Sequence, residues 1–147
     1  EGRVIGRGWT QDGGRPHAET EALRQAGEAA RRATAYVTLE PCAHHGQTPP
    51  CAQALIDAGV ARVVVAVGDS DARVDGKGIE MLRAAGIEVS VGEGAAAAQA
   101  DTAGFFARTE LGRPFLTLKL ANSFDGRNYN LAGDTRRHGA HQGDQLA

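Results

Sequence analysis

Arg62-Val63-Val64-Val65-Ala66-Val67 decides the fold class of this chain. An unbroken β-branched run has no polar face to turn toward water, so it suits a strand covered on both sides, as in a parallel sheet flanked by helices. Upstream, Pro49-Pro50 and Gly59 bracket a helix from Cys51 to Ala58, with proline at the entrance and glycine past the exit. Before it, Ala35 to Leu39 reads as a strand and Ala18 to Arg32 as a helix rich in Ala, Glu, Leu and Arg. Gly13-Gly14-Arg15-Pro16 reads as a turn, and Arg3 to Trp9 as a strand. Downstream, a helix from Gly78 to Ala85 ends at Gly86, and a strand follows from Ile87 to Val91. Ala95 to Leu111 is expected to be one long amphipathic helix, interrupted at Gly104, with Phe105 and Phe106 as core anchors. Phe115 to Ala121 reads as a last strand, and from Asn122 the chain turns Gly-, Asn-, Asp-, Arg- and His-rich, as in a loosely held tail. Strands alternating with helices imply an α/β architecture with a mostly parallel sheet.

The chain has 147 residues, 41% of them apolar, enough for one globular domain and too few for two full ones. A formal charge of −2 gives no electrostatic footprint for nucleic acid or an anionic membrane, so the expected partner is a small molecule. No apolar run approaches ~18 residues and no signal segment is visible, which makes the cytoplasm the default location. The opening Glu1-Gly2-Arg3 lacks an initiator methionine, so the natural N-terminus is expected to lie elsewhere.

The chemistry sits in His17-Ala18-Glu19, Glu40-Pro41-Cys42 and Cys51. One imidazole and two thiolates would hold a zinc ion and leave its fourth position for water, the arrangement of a catalytic rather than a structural site. Two thiolates cancel the ion's charge, and Glu19 is placed to move protons. His17 precedes a helix, so it must take a cap-like conformation if it and Glu19 are to face one metal. Cys51 opens a helix, where the dipole is expected to favour its thiolate. Two other readings stay open: a disulfide between the two cysteines, and a closed Cys2His2 site completed by His44 or His45. His138 and His141 could form a second metal pair, although their glycine-rich setting suits a solvated tail better.

With Gly14-Arg15-Pro16-His17-Ala18-Glu19, the run Tyr36 to Cys51 and Ala58-Gly59-Val60 in hand, the chain resembles the deaminase domain of the bifunctional riboflavin-biosynthesis deaminase/reductase family. The eight residues between Cys42 and Cys51 are the discriminating detail, because cytidine and tRNA-adenosine deaminases usually have two. The resemblance implies a three-layer α/β/α cytidine-deaminase-like fold, truncated at its N-terminal side by one helix and one strand. It implies zinc on His17, Cys42 and Cys51, with Glu19 as the catalytic acid/base. It also implies a pyrimidine ribosyl phosphate as substrate, losing its exocyclic amine as ammonia. His44, Gln47, Asp69 and Asp71 fall at substrate-facing positions. Lys119 matches a residue of the family's reductase site, the part that would use NADP(H).

On this resemblance, residues 1–112 form the deaminase domain, and 113–147 a shortened start of the reductase followed by a tail. A homo-oligomer is left open. Two departures bear on the substrate: Gln47 stands where the family has Arg or Lys, and Asp69-Ser70-Asp71-Ala72 where it has Asp-Pro-Asn-Pro. Both remove groups suited to an anionic ligand, which keeps a different nucleobase or nucleotide as an alternative.

Overall fold

The computed structural model describes residues 2–46, 49–70 and 74–119. Three strands, β1 (Thr34–Leu39), β2 (Arg62–Val67) and β3 (Glu88–Val91), form a parallel sheet in the order β1-β2-β3. Tyr36 stands opposite Val64, and Val64 opposite Ser90. Between them run α2 (Cys51–Asp57) and α3 (Lys77–Ala84), each stopping just short of its expected glycine. Successive right-handed crossovers moving one way across a sheet place both helices on the same face. Val63 and Val65 accordingly pack with Ala52 and Leu55 of α2 and with Ile79 and Leu82 of α3. Leu55 and Leu82 are fully buried, each worth roughly 1.5–3 kcal/mol in area removed from water.

The opposite face carries α4 (Ala95–Asp101), which packs on β2 and less on β1. Both faces of β2 are therefore covered, as its apolar run requires, and the three-layer expectation holds. On β1 only Ala35, Val37 and Leu39 face the core, while Tyr36 is 71% exposed. The helix α1 (Ala18–Ala26) lies against α2. It ends at Gly27 and gives way to a short 3-10 turn over Gly27–Ala30, so the helix expected to reach Arg32 is shorter.

Three other expectations are corrected. Residues 3–9 form no strand; they run extended over α1, where the Arg7 amide donates to Gln25 Oε1. The contact is so close that a Cβ on Gly8 would overlap the Ala18 carbonyl. The long C-terminal helix is two helices, α4 and α5 (Ala103–Leu111), parted at Thr102 rather than Gly104. The backbone leaves helical geometry at Thr102 (φ −103°, ψ 16°), whose amide and hydroxyl both donate to the Ala98 carbonyl, at 3.0 and 2.6 Å. Phe105 and Phe106 stack edge-on at 5.3 Å, but both stay half-buried and outside the main core.

The described part of the expected last strand, residues 115–119, has no strand partner. Phe115 turns back toward Gly104, while Leu116 and Leu118 stand more than four-fifths exposed. Residues 120 and 121 of that strand, and the tail with His138 and His141, lie outside the described residues. No helix among the described residues is long and apolar enough to cross a membrane.

Candidate metal centre

In a parallel sheet with its helices on the flanks, the loops leaving the strands' C-terminal ends share one rim. Leu39 ends β1, and Glu40-Pro41-Cys42 turns out of the sheet there. Cys51 is the first residue of α2 and His17 the N-cap of α1, with extended backbone (φ −72°, ψ 162°), which is the cap-like conformation the spacing demanded. Nδ1 of His17 lies 3.2 Å from Cys51 Sγ and 3.7 Å from Cys42 Sγ, and the three ligand atoms all fall within 4.8 Å of one another.

Tetrahedral zinc with ordinary bond lengths separates its nitrogen and sulfur ligands by about 3.6 Å, so the trio has the spacing of a metal site. Both cysteines are buried free thiols, and no disulfide joins them. Neither His44 nor His45 enters the cluster. The closed Cys2His2 alternative therefore lacks its fourth ligand here.

The two sulfurs are not equivalent. Cys42 accepts from the Cys51 thiol and from the Cys51 amide at 3.3 Å, which together with His17 hold it down to about 5. Cys51 is pushed the other way by its bond to Cys42, by burial and by Glu19. The sequence reading had the helix entrance favouring the Cys51 thiolate. The structure corrects this, because the first amide of α2 points at the sulfur of Cys42. Burial raises the Glu19 carboxyl above its ordinary range, with Cys42 adding to the rise and His17 opposing it.

Glu40, which the sequence places in the Glu-Pro-Cys motif without a role, is the most heavily hydrogen-bonded side chain beside the cluster among the described residues. It is 4% exposed, and its carboxylate accepts four backbone amides: Asp69 at 3.3 Å and Gly76 at 3.1 Å on Oε2, Gly78 at 2.9 Å and Ile79 at 3.2 Å on Oε1. The available signal was a carboxylate directly after an apolar strand and before a proline, a position that buries it and so demands donors.

Of the substrate-facing residues, His44 is half-buried near the cluster, and its Nδ1 is buried with no hydrogen-bond partner among the described residues. Asp69 follows β2 and lines a cleft of about 600 Å³ with Gly68, Ser70, Phe106 and Arg113, a cleft that does not include the three ligands. Gln47 and Asp71 lie outside the described residues, and Lys119 is exposed.

Comparison with known proteins agrees with this geometry. Residues 1–67 match the family described as the cytidine and deoxycytidylate deaminase zinc-binding region. The riboflavin biosynthesis protein RibD of Escherichia coli is 50% identical over 136 residues, which are 92% of this chain and 37% of that protein. The chain thus spans little more than a third of the length of the curated relatives it matches. Among solved structures, Acinetobacter baumannii RibD superposes with a TM-score of 0.76 at 53% identity, covering 85% of this chain and 35% of that one. A Thermotoga maritima protein titled a diaminohydroxyphosphoribosylaminopyrimidine deaminase/5-amino-6-(5-phosphoribosylamino)uracil reductase gives 0.73 at 36%, covering 92% and 40%. With the zinc-binding motif, the parallel sheet and the relatives in agreement, this chain is similar to the RibD proteins over most of its length, and to the zinc-binding region of cytidine and deoxycytidylate deaminases over its first 67 residues.

Proposed function

We propose that this chain carries a zinc-dependent hydrolytic deaminase of riboflavin biosynthesis. It would convert 2,5-diamino-6-ribosylamino-4(3H)-pyrimidinone 5′-phosphate to the corresponding pyrimidinedione and ammonia. The observation that carries this reading is the approach of His17 Nδ1 to both sulfurs, with Glu19 half-buried beside them. His17, Cys42 and Cys51 would hold the metal. Bound there, zinc supplies the positive charge that brings a water's pKa toward neutrality.

The protein's own part is proton transfer. Glu19 would take one proton from the attacking water and pass it to a ring nitrogen as the C–O bond forms. It would then take the second proton from the new hydroxyl and pass it to the amine as the C–N bond breaks, so that the carbonyl forms, ammonia leaves and Glu19 ends as it began. A carboxyl raised by burial suits both halves of that task, since it gives a proton back near neutral pH more readily than an exposed glutamate does. His44 Nδ1 is a buried polar atom with no hydrogen-bond partner among the described residues, and Asp69 is, with Glu110, an acidic group on the cleft wall; His44 and Asp69 are assigned to substrate.

The unit is assigned to residues 1–112, because α5 ends at Leu111 and Gly112 caps it in a left-handed conformation. Residues 113–147 are assigned to the start of a reductase part, to which Lys119 and any NADP(H) chemistry would belong. A reducing, cytoplasmic setting suits cysteines kept as thiols. Metal analysis paired with ammonia release from the diaminopyrimidine phosphate tests the proposal: one bound zinc and release of ammonia are expected. Zinc binding without ammonia release from that compound, but with release from another pyrimidine or purine, would move the assignment to a different base.

A further inference from the structure

We infer that Glu40 is a positioning residue, which locks the turn carrying Cys42 to the entrance of α3 and to the loop carrying Asp69. The inference rests on the metal reading of His17, Cys42 and Cys51 proposed above. Three separate parts of the chain meet on this one carboxylate. It leaves β1 two residues before Cys42, accepts the Asp69 amide from the loop after β2, and accepts Gly76, Gly78 and Ile79 from the start of α3. On the other side of the same turn, α3 presses against the Pro41 carbonyl. A Cβ on Gly78 would overlap that oxygen and stand 3.2 Å from Glu40 Oε1.

Cys42 then fixes α2 in its turn. Its carbonyl accepts the Ala52 amide at 3.2 Å and its sulfur accepts the Cys51 amide. The chain of contacts therefore runs from Glu40 through Pro41 to both thiol ligands, and separately from Glu40 to Asp69. An acceptor-only group is what four converging N–H donors require. Glutamine keeps one acceptor oxygen but turns an NH2 toward two amides, donor against donor, so the turn must shift to relieve it.

Cobalt(II) is a suitable probe, because its visible d–d bands and thiolate charge-transfer band report ligand geometry without requiring turnover. The intact chain should bind one cobalt with a tetrahedral spectrum and sulfur charge transfer. Glu40→Gln should retain all three ligands and Glu19 yet bind cobalt at least tenfold more weakly, with displaced d–d bands. Gly78→Ala, which keeps the carboxylate but pushes α3 off Pro41, should displace the bands in the same direction. A folded Glu40→Gln chain with unchanged spectrum and affinity, even if it melts lower, overturns the inference and leaves Glu40 a structural residue. Failure of both variants to fold in the presence of cobalt overturns it as well. An intact chain that shows no sulfur charge transfer removes the metal reading itself, and the inference with it, an outcome distinguishable because it appears before any substitution is made.

Discussion

Two glutamates each stand two residues from a proposed metal ligand, Glu19 from His17 and Glu40 from Cys42, and their surroundings assign them opposite tasks. Glu40 is surrounded by backbone amides, so its carboxylate is fully occupied in holding β1, α3 and the Asp69 loop together. Glu19 is half-buried on the first turn of α1, against Cys51 and Cys42, where desolvation pushes its carboxyl up. A carboxylate that accepts several hydrogen bonds is a fixture. One that is desolvated and sparsely bonded is a group on which a proton can reside. Residue type alone does not separate the two; the count of donors around each does.

The sharpest way to test the contrast is to remove each acid in turn. Glu19→Gln should lower ammonia release by about 10² to 10⁴ while leaving zinc content unchanged, since general acid–base transfer is worth that much and Glu19 is not among the ligands. Metal analysis on the same sample checks it, and loss of zinc together with activity would assign Glu19 to the coordination shell instead. Glu40→Ala should act through the fold. It leaves four amides short of their acceptor in a buried place, which costs about 3 kcal/mol or more, read as a lower urea midpoint at unchanged m-value.

The same contrast explains which parts of the molecule were legible in the sequence. β2 was placed to the residue because the apolar run after Arg62 leaves no ambiguity of face, and α2 and α3 to within one residue at each end, Pro50 and Gly59 bracketing the first and Gly86 ending the second. His17, Cys42, Cys51 and Glu19 were legible because metal and proton chemistry demand those residue types. The work of Glu40 was not legible, since its partners are backbone amides lying 29 to 39 residues away, and an amide has no identity in a sequence. The same limit produced the two strands expected at residues 3–9 and 115–121, the second described only as far as residue 119. Alternating apolar residues state that a segment wants a partner strand, but not that one is present. The break at Thr102 is a change of backbone angles at one residue, and a threonine there carries no signal comparable to the glycine at 104.

A smaller effect concerns the thiols that Glu19 faces. The bonds from Cys51 hold Cys42 below the ordinary thiol range, whereas the bond to Cys42 and burial push Cys51 above it. A divalent cation requires both to be deprotonated, so uptake of zinc near pH 7 should release fewer than two protons from the thiol pair, most of them from Cys51. Calorimetric titrations in buffers of different ionisation enthalpy measure that number. Zinc affinity should rise with pH, because the Cys51 proton competes with the metal. Release of two protons would mean that the sulfurs are equivalent and that the Cys51 amide does not favour Cys42.

The smallest expected effect isolates what burial does to Glu19 in the metal-free chain. Its folded-state pKa lies above the unfolded value, so the folded state binds the proton more tightly than the unfolded state does. The resulting stability is complete at pH values below the unfolded glutamate range and is lost as pH rises through the folded value. Glutamine cannot ionise, so Glu19→Gln should match the native residue in acid and exceed it in stability at neutral pH. The gap should open as pH climbs above the ordinary glutamate range and then level off. Urea unfolding of both chains with a chelator present, from about pH 4 to pH 8, reads this directly. A gap that widened toward acid instead would mean that Glu19, like Glu40, is held as a charged fixture, and the division of labour between the two acids would fail at its proton-carrying half.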